Sequence, residues 1–295
     1  MLFDAHAHFF SRRFYQFHAD LAGVKLDEVQ RVAGAVLPSD DPVALADRWI
    51  TELNANQVDR VVLIASIPGD EAGVHAAVQR DPSRITGYFM LDPTVEDAVK
   101  RARRALDQGL AGVCLFPALH RFDPGDERCL PLYRELERRR AICFVHFGAL
   151  KIPLREKLKL PPVADLRYSN PVLLHRAANA CPGLTFVIPH FGGGMFRETL
   201  LLGAQAPNVC VDTSSSNSWM ALYPGLDLKR VFEMTLHAFG PRRILFGTDS
   251  SAFPRGWRAD VYRDQLNVIN ALCLTPAERA GIWGENLAQV LAGRT

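Results

Sequence analysis

Eight short runs of β-branched and aromatic residues recur along the chain, each followed by polar or Pro/Gly punctuation and then by a stretch of helical periodicity. The runs fall at residues 2–6 (LFDAH), 60–65 (RVVLIA), 85–91 (ITGYFML), 111–116 (AGVCLF), 141–146 (AICFVH), 184–190 (LTFVIPH), 209–213 (VCVDT) and 243–249 (RILFGTD). Helical patterns occupy 41–56, 69–80, 94–109, 129–140, 170–181, 195–206 and 227–240. The tail from Trp257 reads as two more helices, broken at Thr275-Pro276. A helix between two strands carries the chain back to where it started, so such strands pair in parallel. Eight units of this kind predict a (β/α)8 TIM barrel, one domain over residues 1–295, with an open doubly wound sheet as the runner-up. No Gly-x-Gly-x-x-Gly follows the first strand, which counts against the dinucleotide-binding form of that alternative. Two connections read as long loops and as candidate pocket walls: residues 9–42 after strand one and 147–169 after strand five.

Composition narrows the class of partner. A formal net charge of +2 gives no electrostatic reason to expect nucleic acid or an anionic membrane. No apolar run approaches the roughly 18 residues of a membrane span, and no basic segment precedes an apolar one near the N-terminus. Six cysteines are scattered without a Cys-x-x-Cys pair, several inside apolar runs, and read as reduced core residues. The expectation is a cytoplasmic protein acting on a small molecule.

Residues with chemistry to offer cluster at the C-terminal ends of the predicted strands. His6 and His8 stand two apart, so on one strand they point to the same face and can approach one ion together. His146 ends the fifth run in CFVHFG, His190 the sixth in FVIPHFGGG and Asp249 the eighth in LFGTDS. In a barrel all of these ends open onto a single mouth. Any one of them alone reads as a hydrogen-bonded strand end or a turn residue; their coincidence on one rim points to a metal site. His75, His175 and His237 lie in helical patterns and His18 in the first connection, where solvated or core roles suit them better. His120, Arg12, Trp219, Arg255 and Trp257 lie on connections at the same rim and are candidate substrate contacts, the arginines for a carboxylate and the tryptophans for a planar group. The hydroxyls and amide of TSSSNSWM belong to the same set. Asp4 reads as a further support on the face of His6 and His8. The glycines of HFGGG read either as an anion-binding turn or as a tight turn behind His190.

The set DAHAH, VHFG, IPHFGGG and LFGTDS, with GIWGENLAQVL near the end, resembles the amidohydrolase superfamily over nearly the whole chain. It is most similar to the amidohydrolase-related (amidohydrolase 2) group that includes aminocarboxymuconate semialdehyde decarboxylase-like proteins, lactonases and other hydrolases. The resemblance implies one divalent metal held by His6, His8, His146 and Asp249, with His190 and Asp249 in catalysis. Zn²⁺ suits three imidazoles and a carboxylate, and Mn²⁺ or Fe²⁺ is compatible. Binuclear members carry a lysine at the end of the fourth strand; here Phe116 stands in CLFPALH, which implies a mononuclear site. Many decarboxylases of the group carry an SDYP-like sequence at the eighth strand, and GTDSSAFPRGW departs from it. The resemblance also implies a homodimer.

Two reactions share this constellation. In hydrolysis of an ester, lactone or amide, Asp249 would take the proton of an activated water while His190 orients that water or steadies the oxyanion. In non-oxidative decarboxylation of a cyclic or aromatic acid, the same centre would anchor the substrate while a carbon is protonated. A metal kept only for structure is the third reading; structural zinc sites are usually closed and rich in cysteine, and none of the six cysteines reads as part of the histidine set, which counts against it.

Overall fold

The structure, a computed structural model, describes residues 1–148, 152–214 and 217–293. Every expected strand forms: β1 Phe3–His8, β2 Arg60–Ala65, β3 Ile85–Met90, β4 Gly112–Leu115, β5 Ile142–Val145, β6 Phe186–Ile188, β7 Val209–Asp212 and β8 Ile244–Leu245. They pair in parallel in chain order from β1 to β8. Beyond β8 the chain returns to the first strand: the Ala5 amide donates to the Phe246 carbonyl at 2.8 Å, Asp249 to His6 at 2.9 Å, and His8 to Ser250 at 2.7 Å. These bonds close the sheet into a (β/α)8 barrel, whereas the doubly wound alternative would leave two open edges.

Strand periodicity divides the apolar residues between two cores. Val62, Ile64, Tyr88, Cys114, Phe144 and Leu245 fill the barrel interior, and Leu287 and Val290 of the C-terminal helix join them. Val61, Leu63, Phe89 and Phe186 face outward onto helix residues such as Trp49 and Phe232. Local chemistry agrees with this plan. The Asp41 side chain accepts from the Val43 amide, with Pro42 in the first turn of helix Pro42–Ala55. Thr275 and Glu278 form a reciprocal capping box where the tail was expected to break.

The first long connection is not a loop. It folds into helices Arg12–Ala22 and Leu26–Ala33, the first capped by Ser11 and both ended by glycines in the left-handed region, Gly23 and Gly34. The fifth connection holds the short helix Pro153–Lys157. Both connections contribute to one small apolar cluster that includes Phe14, Tyr15, Val29 and Leu154. Burial of this shared face explains why these stretches become ordered helices beside the mouth. Five cysteines are buried as expected, but Cys273 is exposed, and all six are free. Among the described residues no helix is long and apolar enough to cross a membrane.

The turn after β6 is tightly confined. His190, Phe191, Gly192, Gly193 and Gly194 all have positive φ. The amides of Gly192 and Gly193 are used inside the turn, donating to the carbonyls of Pro189 and His190 at 2.9 Å each. That arrangement favours the tight-turn reading of these glycines over anion binding. After β5, Gly148 has φ +80, and a Cβ there would lie 2.2 Å from the Gly193 carbonyl oxygen and 2.4 Å from that of Gly192. Gly148→Ala should therefore lower stability by at least the ~1–3 kcal/mol of one strained backbone position. Urea denaturation reads this directly, and an unchanged midpoint would show that the two turns do not approach as described.

Candidate metal centre

A bulge in β1 aims the first two histidines. Asp4 pairs with Val61 but Ala7 with Leu63, so three steps along β1 match two along β2. The extra residue resets the alternation, and His8 pairs with Ile64, a residue of the barrel interior. Asp4 instead pairs with outward-facing Val61, which corrects the expectation that it shares the histidines' face. Its buried carboxylate accepts from the His6 amide at 2.9 Å, the Thr248 amide at 3.1 Å and Trp257 Nε1 at 2.8 Å, and so ties the bulge to the end of the barrel. Burial pushes this carboxyl up to about 7 against those hydrogen bonds, which favour its ionised form.

The other groups follow the ends of their strands. His146 directly follows β5, His190 lies just beyond β6, and Asp249 follows β8. His190 and Asp249 have φ of 59 and 57, the left-handed region that non-glycine residues seldom adopt. Two triads of ligating atoms result, each within 4.8 Å: His6, His8 and Asp249, and His6, His146 and His190. His6 belongs to both. The four histidines and Asp249 that the sequence singled out are thus brought together, with His190 grouped as closely to His6 as His146 is.

Hydrogen bonding fixes where the imidazole protons sit. The Ser66 hydroxyl donates to the Ile64 carbonyl, so at 2.6 Å from His8 Nδ1 its oxygen can only accept. His8 therefore carries its proton on Nδ1. His6 Nδ1 lies 3.0 Å from the Asp212 carboxylate and 2.8 Å from Ser214 Oγ, whose own proton goes to Asp212. His190 Nδ1 donates to the Ser214 carbonyl at 3.1 Å. The Nε2 atoms of these rings are left as lone-pair nitrogens. His6 Nε2 and His8 Nε2 face each other at 3.3 Å, with Asp249 Oδ1 at 3.8 Å from the first and 3.0 Å from the second. Two lone pairs and a carboxylate converging without a donor repel one another unless a cation lies among them, so the donor set fits a divalent metal.

The protonation tendencies agree. Burial depresses His6 despite the opposing pull of Asp212, and it depresses His146 strongly, with His6 and His190 adding to the effect. Burial alone would raise Asp249 and Asp212, but the electrostatic pull of the adjacent imidazoles holds Asp249 below the usual carboxylate range, and His6 does the same for Asp212. Neutral imidazoles beside ionised carboxylates are the forms that bind metal. Phe116, the residue from which a mononuclear site was expected, stacks on His146 at 4.2 Å. Cys114 Sγ lies 3.3 Å from His146 Nδ1, so contrary to the expectation one cysteine does adjoin the histidine set.

The candidate substrate contacts separate. Arg255 is exposed, donates to Ser251 Oγ at 2.7 Å and lies within the electrostatic reach of Asp249. Trp257 is buried against Asp4, and Trp219 is buried between Phe196 and Tyr223. Arg12 is held at Asp40 and the Pro38 carbonyl. His120 is partly buried, its Nδ1 has no hydrogen-bond partner, and burial depresses it beside Asp92. Ser215 and Ser216 of the TSSSNSWM stretch lie outside the described residues. Sequence reading passed over Asp212, Ser66 and Cys114. An acid closing the apolar run VCVD, as Asp249 follows LFGT, was the available signal for Asp212.

Comparison with known proteins places this geometry in a family. The amidohydrolase family model matches residues 3–292. The chain belongs to the amidohydrolase family. No curated protein sequence matches this amidohydrolase. Among solved structures it is similar to 5-carboxyvanillate decarboxylase from Novosphingobium aromaticivorans with bound manganese and 3-methoxy-4-hydroxy-5-nitrobenzoic acid, at TM-score 0.70 and 14% identity over 99% of this chain and 97% of that one. It is also similar to a probable 2-pyrone-4,6-dicarboxylic acid hydrolase from Acinetobacter baumannii, at TM-score 0.63 and 15% identity over 99% of both chains. An amidohydrolase from Burkholderia multivorans with bound zinc gives TM-score 0.65 and 15% identity, again over 99% of both. At these identities the likeness is one of fold.

The depressed histidines make a measurable prediction for the metal-free amidohydrolase. His6 and His146 should titrate below 6.5, the ordinary imidazole value, in an NMR pH series. Because the unfolded chain then takes up protons first, their contribution to stability is present above that value and is lost as pH falls from it through the lower folded values. A midpoint at or above 6.5 for either ring would contradict the burial described.

Proposed function

We propose that this amidohydrolase is a metal-dependent hydrolase that opens an ester, lactone or amide bond of a small, carboxylated molecule. The observation that carries the reading is the convergence of His6 Nε2, His8 Nε2 and Asp249 Oδ1 with the imidazole protons turned away from them. His6, His8, His146 and Asp249 would hold one divalent ion; Zn²⁺ is the first choice, with Mn²⁺ or Fe²⁺ compatible. Zinc and manganese in the structurally similar proteins support that choice. When bound, the ion supplies Lewis acidity and lowers the pKa of water from 15.7 toward about 7.

The chain's own groups do the rest. Asp249, held ionised, accepts the proton of the attacking water and returns it to the leaving group. His190, with its Nδ1 proton committed to the Ser214 carbonyl, has only Nε2 to offer, and as a neutral ring that atom accepts. This favours orienting the water over donating to an oxyanion. Arg255 is the residue we assign to a substrate carboxylate, because it is exposed and within the electrostatic reach of Asp249. Arg12, His120, Trp219 and Trp257 would shape the surroundings of the mouth through the contacts they already make.

A second reading, non-oxidative decarboxylation, is supported by the fold similarity to 5-carboxyvanillate decarboxylase, in which the same histidines and aspartate would anchor an aromatic acid. A panel of lactones, esters and carboxylated phenols, assayed separately with Zn²⁺ and Mn²⁺ in ¹⁸O-labelled water, distinguishes the two. The hydrolase should place one label in the product and release no carbon dioxide; carbon dioxide release with unlabelled product would replace it with the lyase. In either case His6→Ala should fold yet lose stoichiometric metal; for the hydrolase, Asp249→Asn should lower kcat about 10²–10⁴-fold, the usual worth of a positioned proton carrier. Full metal content in His6→Ala would remove His6 from the ligand set.

A further inference from the structure

Asp212 and Ser214 bind the outer faces of two imidazoles at once, and the reaction proposed above gives Asp212 no part. Asp212 ends β7 and is fully buried, as is Ser214. One carboxylate oxygen, Oδ2, meets His6 Nδ1 at 3.0 Å. The other, Oδ1, accepts three donors: the His190 amide at 3.1 Å, the Ser214 amide at 2.8 Å and the Ser214 hydroxyl. The hydroxyl oxygen in turn lies 2.8 Å from His6 Nδ1 and 2.9 Å from His190 Nδ1.

We infer that Asp212 is a positioning residue that locks the tautomer of His6, holding its proton on Nδ1 so that Nε2 is a lone pair toward His8 and Asp249, while the same carboxylate anchors the backbone of His190. This rests on the metal-centre reading for its consequence but not for its test. A neutral imidazole has one proton to place, and an ionised carboxylate can only accept, so the proton stays where the carboxylate is. An outer-sphere carboxylate of this kind orients a metal-binding histidine and raises its basicity. Because Oδ1 and Oδ2 belong to one rigid group, His6 and the turn at His190 cannot move independently.

The geometry also dictates what Asp212→Asn would do. Three donors already converge on the Oδ1 position, so the amide oxygen must take that place, and its NH2 must face His6 Nδ1. A donor against Nδ1 drives the proton to Nε2, into the space shared with His8 and Asp249.

Nitrogen-15 NMR of the imidazoles, recorded on metal-free protein above the histidine titration range, reads the tautomer directly. The wild-type chain should show His6 protonated on Nδ1, Asp212→Asn should show it on Nε2, and Ser214→Ala, which keeps the carboxylate, should keep the wild-type form. Zinc affinity, measured by competition with a chelator, should fall about 10–100-fold in Asp212→Asn, the usual effect of losing an outer-sphere partner. A wild-type His6 protonated on Nε2 would overturn the inference without any variant, which covers the case in which Asp212→Asn fails to fold. An unchanged tautomer in folded Asp212→Asn would overturn it equally. Wild-type protein that binds no zinc, yet shows the Nδ1 tautomer, would refute the metal-centre reading and leave the lock standing.

Discussion

The mutual repulsion of like acceptors governs the centre of this molecule. His6 Nε2 and His8 Nε2 stand 3.3 Å apart, and a carboxylate oxygen lies 3.0 Å from the second, with each imidazole proton held on the far side by Asp212 or Ser66. Such an arrangement persists only if the surrounding structure imposes it. What imposes it is closure of the barrel. The bonds from Ala5, His8 and Asp249 across to the opposite chain segment bring β1 and the continuation of β8 together, and with them the two halves of the ligand set. A cation would supply the missing attraction, so the same constraint that weakens the metal-free protein would tighten a loaded one.

The backbone around this centre is held far from its relaxed form. Asp249 and His190 both have positive φ, and His190 begins a run of such residues through Gly194. In that turn the glycines provide room as well as freedom: a Cβ at Gly192 would lie 1.8 Å from Thr199 Oγ1. The β1 bulge belongs with these features, because without the extra residue His8 would not pair with interior-facing Ile64. These strained positions lie at or beside the groups proposed to carry the chemistry, as expected where packing overrides local preference.

Much of this was legible in the sequence, for a physical reason. Strand and helix periodicity is local, so RVVLIA gives its strand to the residue and the remaining runs to within a few, and the strand count then brings His6, His146, His190 and Asp249 to one rim. What periodicity cannot encode is a relation between distant segments. The bulge depends on how β1 registers with β2, and helices Arg12–Ala22 and Leu26–Ala33 order because their apolar faces join a cluster that includes Leu154 from the fifth connection. Trp257 reads as a substrate contact until its indole is seen bonded to Asp4, and Asp212 is passed over because its partner lies 206 residues away. The choice between hydrolysis and decarboxylation lies in side chains around the mouth, such as Arg255, whose meaning depends on a ligand rather than on the fold.

X-ray absorption at the zinc edge of the reconstituted protein tests the central claim most directly. Three imidazoles and a carboxylate predict a first shell of nitrogen and oxygen only, at about 2.0–2.1 Å, with the outer-shell pattern of several histidines. A sulfur scatterer at about 2.3 Å would put Cys114 in place of one of these ligands and contradict the centre described.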